Sequence, residues 1–116
     1  MLTAGRRIVK GRDFRRVYRL GRKMQGKKLK LYYFPNHQGI TRFGFSISKK
    51  VGKAVQRNLL KRRLREICRK YIFDFLPGWD IILVAREDAA AAPFSELEQE
   101  VLNMGRRGKI LTGRES

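Results

Sequence analysis

The stretch SKKVGKAVQRNLLKRRLREICRK, residues 48–70, constrains the fold most strongly because it combines dense positive charge with a helical apolar pattern. It contains ten Lys and Arg residues and one acid, Glu66. A helix turns by about 100° per residue, so residues three and four apart share a face. One such face consists of Leu60, Leu64, Ile67, Cys68 and Tyr71. The stretch predicts an amphipathic helix from about Ala54 to Tyr71 that packs on the rest of the chain through this apolar stripe.

The charge of this predicted helix lies beside the apolar stripe. The neighbouring stripe consists of Arg57, Asn58, Lys61, Arg62, Arg65 and Arg69. Helical faces that only meet water normally mix acids and bases, because opposite charges one turn apart stabilise the helix. A face of one sign repels itself unless anions such as phosphates neutralise it. The pattern therefore favours nucleic-acid binding over a solvated surface.

The distribution of charge along the whole chain supports this interpretation. The 116 residues carry a net charge of +18. Residues 1–70 contain 23 Lys and Arg residues against two acids, whereas residues 71–116 contain five against eight. We therefore expect the binding surface in the first 70 residues and mainly structural support in the last third.

The segments around the basic helix alternate between helical and strand patterns. GRDFRRVYRLG predicts a first helix that ends at Gly21, and KKLKLYYF alternates apolar and polar residues as a half-buried strand does. TRFGFSIS predicts a second strand with a small, polar face made of Gly44, Ser46 and Ser48. WDIILVAR is almost continuously apolar, which is typical of a central strand.

This order of elements predicts a single α+β domain over residues 1–116, built as a small two-layer sandwich with helices packed on one sheet. Ser95 followed by Glu98 matches a capping box, which predicts the start of a last helix that continues to about Met104. Residues 1–5 and about 107–116 are predicted to be flexible.

Three aromatic residues lie close to basic residues in the predicted elements: Phe14 and Tyr18 in the first helix and Tyr32 in the first strand. Stacking of unpaired bases on such rings is a mode of single-stranded RNA recognition. The alternative is that the rings belong to the core. For Phe14 the sequence supports both equally, whereas neighbouring lysines favour an exposed Tyr32. No helix-turn-helix pair, zinc-finger spacing or heptad zipper indicates sequence-specific DNA binding.

The sequence offers few groups for protein-borne catalysis. Cys68 is the only cysteine and His37 the only histidine, so neither a disulfide nor a zinc site nor a Cys–His pair is predicted. The acids cluster in the last third without metal-ligand spacing. No segment matches a signal peptide or a membrane span. These features predict a cytoplasmic binding protein with no catalytic residue and no metal ligand.

The central motif carries a family resemblance. GFSISKKVGKAVQRNLLKRRLRE resembles the signature segment of the protein subunit of bacterial ribonuclease P, in which a strand ending in Ser-Lys-Lys precedes a glycine, Ala-Val and an Arg-Asn-Arg motif followed by Lys-Arg. DFRRVYRLG, LYYF and WDIILVAR match that family's first helix, first strand and last strand, so the resemblance covers about residues 6–104. Leu59 stands where the family usually has Arg, and Arg63 and Arg65 are the two candidates for supplying that charge.

The resemblance implies a four-stranded sheet with three helices and a left-handed crossover around the basic helix. It also implies a non-catalytic subunit of a ribonucleoprotein endoribonuclease. Such a subunit binds one catalytic RNA and the 5′ leader of precursor tRNA, while RNA-based, Mg²⁺-dependent cleavage removes the leader. The residues implied to contact the catalytic RNA are Lys49, Lys50, Lys53, Arg57, Asn58, Lys61, Arg62, Arg65 and Arg69. Those implied to contact the leader are Phe14, Tyr18, Tyr32, Ser46 and Ser48.

Three other functions are compatible with the composition. A basic ribosomal or ribosome-assembly protein would bind RNA without distinguishing precursor from mature tRNA. A protein-only nuclease would cleave RNA without an RNA subunit. A nucleoid protein would prefer duplex DNA to structured RNA.

Overall fold

The computed structural model describes residues 4–112. In it the chain forms three helices and four strands. The main elements are α1 (Gly11–Leu20), β1 (Arg22–Gln25), β2 (Leu29–Pro35), β3 (Arg42–Ser46), α2 (Ala54–Lys70), β4 (Trp79–Ala85) and α3 (Phe94–Arg107). Short 3₁₀ turns over Ala4–Arg6, Lys49–Val51 and Ala89–Ala91 precede the three helices. The predicted α+β class is confirmed.

The four strands form one mixed sheet in the order β1-β2-β4-β3. β2 runs antiparallel to both β1 and β4, whereas β3 and β4 are parallel neighbours. Helix α2 connects these two parallel strands and therefore forms a crossover, whose handedness stays a prediction. The continuously apolar β4 is central, as its sequence predicts.

Strand β1 is the element that the residue pattern alone does not indicate. Strand β1 lies at the edge of the sheet and has the polar sequence RKMQ. Of its four residues, only Met24 packs against the main core. A short polar edge strand carries neither clear alternation nor a continuous apolar run. The family resemblance implies a fourth strand, and β1 is that strand.

The main core lies between one face of the sheet and helices α2 and α3. Leu29, Leu31 and Tyr33 of β2 point into it, in agreement with the predicted alternation. The apolar stripe of α2 faces them, with Leu60, Leu64, Ile67 and Cys68 buried and Tyr71 half-buried. Burying each large apolar side chain contributes about 1.5–3 kcal/mol, so this stripe anchors the basic helix to the sheet.

Helix α1 packs on the opposite face of the sheet. Its Val17 is fully buried and forms a second, smaller cluster with Ile8 and Ile82. The two-layer description therefore applies to the sheet with α2 and α3, while α1 adds a partial third layer. This placement leaves part of the α1 side of the sheet open.

The start of α3 differs from the predicted capping box. The helix begins at Phe94 after Pro93, and Ser95 lies inside its first turn without making a side-chain cap. The carboxylate of Glu98 instead accepts a hydrogen bond from the Tyr71 hydroxyl at 3.1 Å and pairs with Lys70 at 2.8 Å. Tertiary contacts with α2 thus replace the local cap, and the helix continues to Arg107 rather than ending near Met104.

The chain after α3 also differs from the flexible tail predicted from about residue 107. Ile110 and Leu111 are buried, since they fill the core beside Gly105 and Phe75. The Leu76 amide donates a hydrogen bond to the Ile110 carbonyl at 2.8 Å. Of residues 1–5, which were also predicted to be flexible, Ala4 and Gly5 belong to the 3₁₀ turn Ala4–Arg6. The remaining terminal residues, 1–3 and 113–116, lie outside the described residues.

Candidate nucleic-acid interface

The sheet face that carries α1 is built from three rows of side chains that run across the strands. Successive residues of a strand point to opposite faces, so the strand register places every second residue on this side. From one end of the strands to the other, the rows are Arg42, Asp80 and Phe34; Gly44, Ile82, Tyr32 and Lys23; and Ser46, Val84, Lys30 and Gln25. We call this surface the open face.

Hydrogen bonds and ion pairs connect the first row to the start of α1. Arg42 donates two hydrogen bonds to Asp80, at 2.8 and 2.7 Å, and Asn36 donates a third to the same carboxylate at 2.9 Å. The third guanidinium nitrogen of Arg42 lies 3.6 Å from Asp13, which also pairs with Arg16. The hydrogen bonds with Asp80 raise the pKa of Arg42, so its guanidinium stays charged. This cluster fixes the first turn of α1 over the sheet.

The second row supports the ring of Phe14. This side chain is half-buried and packs against the cluster of Ile8, Val17 and Ile82. It also lies directly on Gly44, where an added Cβ atom would come within 2.7 Å of the ring. Only glycine allows this close approach without displacing Phe14. Phe14 therefore matches both alternatives, the core residue and the accessible ring, because one side of the ring packs in the core and another part remains accessible.

Tyr18 and Tyr32 form a pair at the edge of α1. Their ring centroids are 4.9 Å apart and the planes meet at 79°, an edge-to-face arrangement. Tyr18 is 38% exposed and Tyr32 is half-buried. The ammonium group of Lys23 lies 6.0 Å from the centroid of the Tyr32 ring. Two accessible aromatic rings therefore lie together beside a cation, which suits base stacking next to a phosphate.

The third row of the open face is also accessible. Ser46, Val84 and Lys30 are half-buried and Gln25 is exposed. Ser48 follows the end of β3 and is exposed at the start of the Lys49–Val51 turn, outside the strand pairing. The structure thus places Ser46 on the floor of the face and Ser48 beyond its end.

The basic stripe of α2 meets the open face at a small cavity of about 140 Å³. Lys61 and Arg65 line this cavity together with Arg7, Phe14 and Gly44. The Nε atoms of Arg7 and Arg65 are buried and have no hydrogen-bond partner within residues 4–112. A residue expected to bind the leader and two expected to bind the catalytic RNA therefore lie side by side.

Arg7 was not identified from the sequence. Its position follows from a parallel bridge to Phe43, reinforced by the Ile8 amide donating to the Phe43 carbonyl at 2.8 Å. No local sequence pattern predicts this pairing, because the two partners are distant in sequence. The charge cluster beneath α1 could have been suspected from Asp13, because this acid and Glu66 are the only two in the first 70 residues of the sequence.

The other basic residues predicted for RNA binding differ in their accessibility. Those that are exposed are Lys49, Lys50, Lys53, Asn58, Arg62 and Arg69, whereas Arg57 is half-buried. Arg69 donates to Glu66 through two nitrogens, at 3.0 and 2.8 Å, so part of its charge is neutralised within the helix. Glu66 is therefore a local partner of Arg69 rather than an isolated acid.

Leu59 is 42% exposed on α2, at the position where the motif usually has Arg. Arg63 follows one turn later on the same side of the helix, because residues four apart are neighbours. Arg65 points instead towards the cavity beside Phe14. Of the two candidates, Arg63 has the better position to replace the missing charge.

The potential metal ligands and nucleophiles lie apart from one another in the described residues. Between residues 4 and 112, no group of three or more His, Cys, Asp and Glu side chains could hold a metal ion. Cys68 is fully buried, and burial raises the pKa of its thiol well above the usual range. His37 is exposed in the β2–β3 turn. Within the same residues no helix is long and apolar enough to cross a membrane.

Comparisons with known proteins agree on one family. The family model for Ribonuclease P matches residues 2–108. The chain is 45% identical over 94 residues to the ribonuclease P protein component of Desulforamulus reducens, covering 81% of this chain and 83% of that protein. It is 37% identical over 104 residues to the component of Clostridioides difficile, covering 89% and 91%.

Solved structures give the same result for the fold. The RNase P protein of Staphylococcus aureus superposes with a TM-score of 0.85 at 30% identity, covering 92% of this chain and 98% of that chain. The protein from Thermotoga maritima gives a TM-score of 0.80 at 28% identity, covering 87% and 96%.

Proposed function

This chain belongs to the ribonuclease P protein family, and from that premise we propose that it binds the catalytic RNA and the 5′ leader of precursor tRNA. Membership implies an RNA partner in a ribonucleoprotein that is an endoribonuclease. In the proposed division of labour, the basic side of α2 and the Lys49–Val51 turn hold the catalytic RNA, while the open face holds the leader. The protein thereby assists the formation of mature tRNA 5′ ends.

The observation that carries this proposal is the pairing of accessible rings with cations on the open face. Tyr18 and Tyr32 lie together beside Lys23, and Phe14 lines a small cavity together with Lys61 and Arg65 of α2. Rings of this kind stack on unpaired bases regardless of base identity, and cations neutralise the backbone between them. A binding surface of this chemistry therefore suits a single-stranded leader of any sequence.

The chemistry of cleavage is proposed to belong to the RNA, with Mg²⁺ as its metal. The described residues contain no cluster of carboxylates or histidines that fits a metal ion, so we assign no metal site to the protein. The chain's own contribution is to bind and orient the two RNAs. One protein chain for each catalytic RNA, in the cytoplasm, completes the proposal.

The direct test is a cleavage assay with purified components. The RNA-free protein should leave precursor tRNA intact, and it should stimulate cleavage when added to a bacterial ribonuclease P RNA at low salt. Magnesium-dependent cleavage by the RNA-free protein would contradict the proposal. RNA binding without stimulation, and without preference for precursor over mature tRNA, would instead indicate a general RNA-binding protein such as a ribosomal one.

A further inference from the structure

Helix α1 carries a second basic surface on the side opposite its buried residues Asp13 and Val17. Arg12, Arg15 and Arg19 are exposed. At about 100° per residue they fall within an arc of roughly 60° along the outer side of the helix. We call these three residues the arginine row. Helix α1 packs on the opposite face of the sheet from α2, so the row and the basic stripe of α2 belong to different layers of the fold.

The arginine row lacks acidic partners. Asp13, the only acid of α1, is buried and points to Arg42 on the sheet side. Asp13 also forms an ion pair with Arg16, which is the neighbour of the row on the same helix. Arg12, Arg15 and Arg19 form no ion pair with any residue in the described part of the chain, residues 4–112. Three like charges on successive turns destabilise an isolated helix unless an anion neutralises them.

Tyr18 joins this row to the open face. It lies in α1 between the buried side and the arginine row, and its ring contacts Tyr32 on the sheet. Tyr18 also lines the same open concavity as the three arginines. A strand whose base stacks on the Tyr18–Tyr32 pair therefore meets the row with its next phosphates. The row extends over about 10 Å along the axis, because each residue rises about 1.5 Å.

We propose that the arginine row binds the phosphate backbone of single-stranded RNA, as the continuation of the leader beyond the nucleotides held on the open face. This inference rests on the proposed function and extends it from a short leader to a longer one. Recognition is through phosphates alone, so it is independent of leader sequence. The row acts on leaders that are long enough to pass Tyr18 and has no role for shorter ones.

The test uses the assembled holoenzyme and two precursor tRNAs, with leaders of about five and about fifteen nucleotides, which lie near the lower and upper limits of typical single-strand site sizes. The variant is R12Q/R15Q/R19Q, because Gln removes the charges and keeps a high helix propensity. The control is R106Q/K109Q, which removes two exposed charges at the end of α3 and in the turn after it, and which keeps the hydrogen bond from Arg107 to the Gln25 carbonyl. Thermal unfolding of both variants checks that the fold is retained.

For the arginine-row variant we expect roughly tenfold weaker binding of the long-leader precursor at low salt, and a log–log salt slope less steep by about 2. Binding of the short-leader precursor, mature tRNA and catalytic RNA should change less than about twofold, and the control should behave like the parent chain. Equal losses for short and long leaders, or no loss for either, would overturn the inference, as would weaker binding of the catalytic RNA. The cleavage assay and the short-leader affinities test the proposed function separately.

Discussion

The ring of Tyr18 meets the ring of Tyr32 edge-on at 4.9 Å, and this contact joins the first helix to the open face of the sheet. If leader bases stack on this pair, truncating either ring should weaken precursor binding by about 1–3 kcal/mol. Mature tRNA has no leader, so Tyr18→Ala and Tyr32→Ala should leave its affinity for the holoenzyme nearly unchanged.

The matched control for this prediction is Phe73→Ala. Phe73 is an aromatic residue that is 89% exposed and lies between α2 and β4. Its loss should affect neither RNA. Equal losses for precursor and mature tRNA in a stably folded Tyr18 or Tyr32 variant would exclude the leader contact, whereas a lowered melting temperature would assign the ring to the core.

The basic side of α2 should dominate assembly with the catalytic RNA. Replacing Arg57 and Arg65 by Ala should weaken assembly and make the log–log salt slope less steep by up to about 1 for each residue. Glu66→Gln should not weaken assembly, because its pair with Arg69 is exposed and removing an acid adds no repulsion for RNA. Filter binding over a salt series measures both quantities. An unchanged slope in the double variant would place the docking surface elsewhere.

The ion pair between Arg42 and Asp80 should be important for stability. Asp80 is 2% exposed and accepts hydrogen bonds from both Arg42 and Asn36. Asp80→Ala leaves the Arg42 charge without its main partner, which should lower the free energy of unfolding by about 3–5 kcal/mol. Urea denaturation measures this loss. Glu66→Gln serves as the exposed-pair control and should unfold at the same urea concentration as the parent chain.

The end of the chain should contribute to the core rather than fray. Leu111 is buried beside Gly105 and forms a bridge with Phe75. Leu111→Ala should lower the free energy of unfolding by about 2–5 kcal/mol, since it removes buried apolar volume. Thr112→Ala, at an exposed neighbouring position, should cost much less. Equal stabilities of the two variants in denaturant would show that the segment is not anchored.

Local periodicity was enough to predict most of the secondary structure. The stripe of Leu60, Leu64 and Ile67 and the alternation of Leu29 and Leu31 depend on residues close in sequence, and both are buried as predicted. The predictions that were wrong concern segments whose conformation depends on distant partners. The cap expected at Ser95 does not form, and the apolar residues after α3 enter the core.

The sequence by itself determined the three helices, every strand except β1, the central position of β4, the family and the unequal distribution of charge, because these depend on residue type and short spacing. Only the tertiary structure decided which side chains meet. It placed Arg7 beside Arg65, tied Asp13 to Arg42, and brought Tyr18 onto Tyr32. Each of these pairs joins separate elements, so its geometry depends on strand register and helix placement, which the packing of the whole core sets.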